Sequence, residues 1–211
     1  MAAAASLFAE RGFHATSVRE IAQRAGVNVA SGNYHYGSKK ALYLEVLREQ
    51  FRGVQSELRK RGASLPPEEL ARRSHQEVVD VLRSRIQTML ELLIGPPPGL
   101  HGTLMQREMC DPSEALPVIV AEFIVPMTAE MGALLSRLYP GLAASDVESC
   151  VRSIAGQALF YRFAMPAVLH VQGRDEYPRG MARKVAEHIT EFTLGGTARI
   201  APKAKRGSRA R

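Results

Sequence analysis

A chain of 211 residues, 45% apolar and 23% charged, can bury roughly 70% of its unfolded surface, which excludes disordered, collagen-like and mucin-like classes. Its net charge of +7 is uneven: residues 1–62 carry ten Lys or Arg against five Asp or Glu, residues 63–195 twelve against sixteen, and residues 196–211 six against none. A basic front joined to a mildly acidic body points to a division of labour, one part meeting phosphate and the other doing something else.

Apolar residues recur at three- and four-residue steps almost throughout, without a strand pattern, so the fold class expected is all-α with about nine helices. The first helix carries Ala4, Leu7 and Phe8 on one stripe and stops at Gly12. Ser17 and Glu20 form a capping box that opens a second helix, with Val18, Ile21, Ala22 and Ala25 as its core face and Gly26 as its end. A third, short helix runs from Asn28 to about Tyr34. Ser38 caps a long fourth helix reaching Arg61, striped by Tyr43, Leu47, Phe51, Val54 and Leu58. Gly62 to Pro67 is a domain border, where the charge balance changes sign. A fifth helix is lined by Val79, Leu82, Ile86, Met89, Leu90 and Leu93 and ends at Gly95 and the prolines 96–98. Thr103 and Gln106 read as a capping box opening a sixth. The seventh, about Ser113 to Tyr139, contains Pro117 and Pro126, which predicts a kink near Phe123. The eighth opens on a Ser145–Glu148 box and runs to a break at Pro166, with apolar residues on more than one face. The ninth runs from Pro178 to Leu194, ahead of Gly195-Gly196.

The second and third helices, joined by a glycine turn and followed by a long supporting helix, describe a helix-turn-helix in the basic segment. The major groove of B-DNA admits one helix, braced by the other against the phosphate backbone. The exposed side chains of the third helix are Asn28, Ser31, Asn33 and Tyr34, short polar groups suited to base edges or phosphates. His35 and Lys39 fall where the next helix N-terminus meets a phosphate; with Thr16 and Ser17 they complete the candidate DNA-contacting set. Tyr36 is expected to pack in the core.

The stretch LFAERGFHATSVREIAQRAGVNVASGNYHYGSKKALYLEVL resembles the DNA-binding region of TetR-family transcriptional repressors. The resemblance rests on Gly12-Phe13, the capped second helix, the Ala25-Gly26-Val27 turn, and the Tyr34-His35-Tyr36 run leading into Gly37-Ser38-Lys39. SIAGQALFYRFAMPAV and HITEFTLGG resemble, more loosely, the C-terminal ligand-binding domain of one TetR subgroup. The resemblance implies an all-helical homodimer, a palindromic operator, and release from double-stranded DNA when a small-molecule effector enters the C-terminal bundle. Two departures bear on the transfer: only six residues precede Leu7, where family members carry a longer, basic-led first helix, implying a later start or fewer phosphate contacts; and Gly32 stands where an apolar residue usually packs the recognition helix.

The domains expected are residues 1–62 for DNA binding, 63–195 for ligand binding and dimerisation through the eighth and ninth helices, and 196–211 as a basic, disordered tail. Met89, Met105, Met109, Phe123, Met127, Gln157 and Phe160, with Met131, are candidates for an adaptable apolar pocket. Gln157, Arg162 and His170 interrupt apolar stretches and are expected to bond backbone or the partner chain. Cys110 and Cys150, forty residues apart, fit neither a disulfide framework nor a metal site. His101 and Cys110 are too isolated for catalysis, so neither enzyme activity nor a cofactor is expected. The longest uncharged stretch, Leu92 to Gln106, is cut by three prolines and falls short of the ~18 apolar residues of a span, so no membrane is expected. MAAAASLFAERGF lacks the basic opening of a secretory signal, which points to the cytoplasm. The alternative reading is a small-molecule binding protein that keeps the bundle with weak or no specific DNA binding.

Overall fold

The computed structural model describes residues 1–28, 36–95 and 99–202, and every regular element among them is a helix. Helix α1 (Ala2–Arg11) buries Ala4, Ala5, Leu7, Phe8 and Ala9 and ends at Gly12, whose φ of 81° an L side chain rarely adopts. Helix α2 (Val18–Ala25) starts on the expected box: Glu20 N–H donates to Ser17 Oγ at 3.2 Å and Ser17 N–H to Glu20 Oε2 at 2.9 Å. Gly26 closes it in the left-handed region. Ile21 and Ala22 are buried, but Val18 is half-buried and Ala25 exposed; among the described elements α2 packs against α1. The expected helix over 28–34 lies, beyond Asn28, outside the described residues. Helix α3 (Lys39–Lys60) is capped by Ser38, whose Oγ accepts from Ala41 N–H at 3.0 Å, and its whole predicted stripe is buried.

The body departs from expectation mainly at helix ends. A short helix α4 (Pro67–Arg72) and a Ser74–Glu77 capping box at the start of α5 (His75–Ile94) both escaped the sequence reading. Helix α6 (Leu100–Cys110) begins upstream of the predicted box, so Thr103 is interior and its hydroxyl accepts from Arg162. Helix α7 (Leu116–Leu138) does not simply kink at Phe123: it widens into a π-turn over Val120–Ile124, closed by Val125 N–H to Val120 O. Pro126 has no N–H to give. Helix α8 (Ala144–Phe163) starts from Ala143, so the Ser145–Glu148 box does not form; Ser145 instead offers its carbonyl to Ser149 Oγ at 2.8 Å. Helix α9 (Met165–Gln172) restarts at the Pro166 break. Helix α10 (Met181–Ile200) starts after Pro178 and runs through Gly195-Gly196, beyond the expected end. Thr193 and Thr197 are buried, Cys150 Sγ lies 3.4 Å from Thr197 Oγ1, and Tyr139 OH donates to Leu194 O at 2.9 Å. These contacts hold the last turns despite glycine's cost of about 1 kcal/mol per residue.

Two main cores result. One gathers α1, Phe13, Ile21 and the front of α3 with Leu104, Ala115, Ile119 and Phe123; the other joins α5, the second half of α7, α8, α9 and α10. The N-terminal helices therefore share a core with α6 and α7 across the Gly62–Pro67 segment. The stretch Leu116–Leu138 is long and apolar enough to cross a membrane by length and composition alone; its Glu122 pairs with Arg48 and its Glu130 with Arg85.

Candidate nucleic-acid interface

Arg11 pairs with Glu20 and Arg24 with Glu10, each at 2.7 Å, locking α1 to α2. Ser17's hydroxyl and backbone N–H hold the Glu20 carboxyl below its ordinary value, with Arg11 adding to the effect. Thr16 is 2% exposed and its hydroxyl donates to Gly12 O at 2.7 Å and Leu7 O at 3.3 Å, which stitches the turn between the helices. Ser17 is exposed at the mouth of α2, and Asn28 is exposed beyond Gly26. Lys39 turns inward: its ammonium donates to Phe13 O at 2.8 Å, Thr16 O at 3.0 Å and His14 O at 3.4 Å, 4.4 Å above the Phe13 ring. All three of its N–H groups are thereby engaged. Tyr36 packs against the N-terminal core. Ser31, Gly32, Asn33, Tyr34 and His35 lie outside the described residues.

Sequence reasoning gave no hint of how this unit is fastened to the body. Arg107 of α6 donates through Nε to Ala9 O and through Nη2 to Glu10 O, serving carbonyls left open at the C-terminal end of α1. His14 Nε2 stands 3.2 Å from Pro112 O. Tyr43 OH donates at 3.0 Å to Glu108 Oε2, while Glu108 Oε1 accepts from Ser113 N–H and Oγ at 2.9 and 3.0 Å. Burial, reinforced by the Glu108 charge, pushes the Tyr43 hydroxyl pKa up, so it stays a donor. Arg48 grips Glu122 with two bonds of 2.9 and 2.8 Å, and Phe51 stacks on Phe123 at 4.2 Å between centroids.

The expected pocket residues do not converge. Phe123 is buried in the N-terminal core, with Met105 and Met127 against it, while Met89 and Met131 belong to the other core. Met109 and Phe160 are exposed. Gln157 spends its amide on Ser153 O at 3.3 Å, and His170 is exposed. Arg162 reaches Thr103 and Met165 instead, and burial, then the Arg162 charge, pulls His101 down to about 4. A cleft of about 750 Å³ lies elsewhere, between the C-terminal end of α3, residues 63–71, α5 and α7. Among the described residues no group of three or more His, Cys, Asp or Glu could hold a metal ion.

The family description "Bacterial regulatory proteins, tetR family" matches residues 1–46, and "HTH-type transcriptional dual regulator CecR, C-terminal domain" matches residues 78–197. The chain belongs to the TetR family. Within it, this TetR-family chain is 28% identical over 199 residues to the HTH-type transcriptional dual regulator CecR of Shigella flexneri, covering 90% of this chain and 86% of that one. Over 45 residues, 21% of this chain and 22% of the relative, it is 51% identical to the repressor KstR2 of Rhodococcus jostii. A TetR-like regulator from Rhodococcus sp. RHA1 superposes with a TM-score of 0.65 at 20% identity, over 92% of this chain and 93% of that one. FadR of Bacillus subtilis, in complex with stearoyl-CoA, gives 0.65 at 17% identity over 92% and 96%. These proteins are described as transcriptional regulators, and the TetR-family chain is a transcriptional regulator.

Proposed function

We propose that this TetR-family chain is a homodimeric repressor, released from a palindromic operator by a small molecule and acting in the cytoplasm. Residues 1–62 form the DNA-binding unit, residues 63–195 the effector-binding and dimerising body, and residues 196–211 a basic tail. Ser17, Asn28, Ser31, Asn33, Tyr34 and His35 are its DNA contacts, while Thr16 and Lys39 hold the shape of the turn ahead of α2.

The observation that carries this reading is the junction. Arg107 binds the last turn of α1, Glu108 binds α3 through Tyr43, and both residues sit on α6. A displacement of α6 within the body therefore moves the DNA-binding unit directly, and a coupling of about 1–3 kcal/mol changes operator affinity roughly 5–150-fold. Dimerisation is supported by α8 and α10: α8 buries only Val151, Ile154 and Ala158, leaving Phe160 56% exposed, and Phe192 on α10 is 64% exposed. A second copy covers that surface. The FadR neighbour's stearoyl-CoA complex supports a body that admits a small molecule.

Selection of bound fragments from random duplex DNA, with sedimentation of the complexes, tests the proposal. The expected result is a palindrome with half-sites one or more helical turns apart, about 10 base pairs each, occupied by two chains, and affinity that falls steeply with salt. Phe160→Glu with Phe192→Glu should yield folded monomers with poor operator affinity. Salt-independent retention of random duplex, or one chain per site, would overturn it.

A further inference from the structure

We infer that the cleft behind α3 is a binding site for an amphiphilic anion, an alkyl chain bearing a carboxylate or phosphate head. The cleft sits between α3, the 63–71 segment, α5 and α7, and its volume of about 750 Å³ is within the ordinary range for small-molecule sites, about 300–1,000 Å³. Its wall is largely apolar, with Leu65, Pro66, Leu70, Val81, Ala133 and Leu134. Its charged lining is unbalanced: Arg59, Arg85 and Arg137 against Glu130.

The glutamate is already spent. Glu130 Oε2 accepts from Arg85 at 2.7 Å and from Ser64 Oγ at 3.0 Å. Arg85 is 1% exposed, also donates to Ala63 O at 3.1 Å, and keeps an Nε with no partner among the described residues. Arg59 reaches only the Gln55 amide oxygen at 3.4 Å, and Arg137 the Arg73 carbonyl at 2.6 Å; among the described residues neither meets a carboxylate. Two guanidinium groups thus border an apolar hollow without a counter-charge, while the buried third is paired with Glu130. An uncharged apolar molecule would strip water from those groups and give nothing back. A cation would be repelled. An anionic head accepts paired N–H bonds from the arginine forks while its chain covers the leucines and prolines.

The inference deepens the effector half of the regulator reading and rests on it for its consequence, but binding is measured on the full chain without DNA, so the two fail separately. Calorimetry with dodecanoate, dodecyl phosphate and dodecanol, below any micelle-forming concentration, should show one anion bound per chain and the alcohol at least about tenfold weaker. Arg59→Gln with Arg137→Gln should weaken the anions by about tenfold without weakening dodecanol. Ala133→Phe, which fills the hollow without touching a charge, should abolish binding of all three probes, and melting curves confirm that each variant is folded. Equal affinity for anion and alcohol, or anion binding untouched by both variants, overturns the proposal. Binding that leaves operator affinity unchanged would keep the site and remove its role as the effector site.

Discussion

Tyr43→Phe removes one oxygen and almost no volume, so it isolates the hydrogen bond that crosses from α3 to α6. That bond, 3.0 Å to Glu108 Oε2, supplies one of three donors to a carboxylate that is 1% exposed. Hydrogen bonds to charged groups contribute about 1.5–3 kcal/mol; taking about 2 kcal/mol, and about 2–4 °C per kcal/mol for a chain of this length, Tm should fall by about 4–8 °C. Glu108→Leu should cost more, roughly 2–5 kcal/mol, because it strands both the Tyr43 hydroxyl and the Ser113 N–H. The double variant closes a thermodynamic cycle, and urea unfolding of all four proteins should give a coupling of about 1–2 kcal/mol. Operator affinity, measured in parallel, should fall with Tyr43→Phe while the protein is still fully folded. Additivity within about 0.3 kcal/mol would refute the reasoning, since residues joined by a buried bond cannot behave independently.

Lys39→Met should lower the melting temperature and weaken binding to every DNA sequence, yet leave the slope of log K against log salt unchanged, because the ammonium is already committed to three carbonyls; a slope smaller by about one would show it on a phosphate. His101 is held at about 4, below the ordinary 6.5, by burial and then by Arg162. The unfolded chain therefore binds its proton first, and the stability His101 contributes should be full above pH 6.5 and lost as pH falls toward 4; His101→Phe should flatten that limb of an unfolding profile. Glu77 is held at about 2, against an ordinary 4.5, by the Ser74 backbone N–H and hydroxyl and then by Arg73. Its contribution is present above pH 4.5 and declines as pH drops toward 2, so Glu77→Gln should remove acid sensitivity in that window and nowhere else.

Local signals were legible, and contacts to backbone carbonyls were not. The Ser17–Glu20 box, the Gly26 stop and the stripe from Tyr43 to Leu58 depend on residues within one or two turns of each other, and all stand as read. Thr103 and Ser145 carry the same spacing as true caps, but each lies inside a helix that had already begun, at Leu100 and Ala144; the pattern marks a turn that can start, not one that must. The cap at Ser74 stands five residues ahead of Val79, the first residue of the stripe read for that helix, and outside its periodic pattern. Lys39 and Arg107 find their partners at the carbonyls of Phe13, Thr16, Ala9 and Glu10, and no side-chain pattern announces a carbonyl. Of the methionines expected to line one pocket, Met105 and Met127 lie against one core, Met89 and Met131 belong to the other, and Met109 is exposed. The cleft behind α3 is walled by prolines, alanines, leucines and arginines from four segments, whose types carry no periodic signature.

The π-turn in α7 has a geometrical consequence. A regular helix advances about 100° per residue, so one surplus residue sets the two halves of α7 out of phase by about that angle. Upstream, Ala115, Ile119 and Phe123 point into the core shared with α1 and α3; downstream, Met131, Leu134, Leu135 and Leu138 point into the other. The irregular turn thus brings Met131, Leu134, Leu135 and Leu138 onto nearly the same side of the rod as Ile119 and Phe123, so that one face of it serves two interiors in succession along its length.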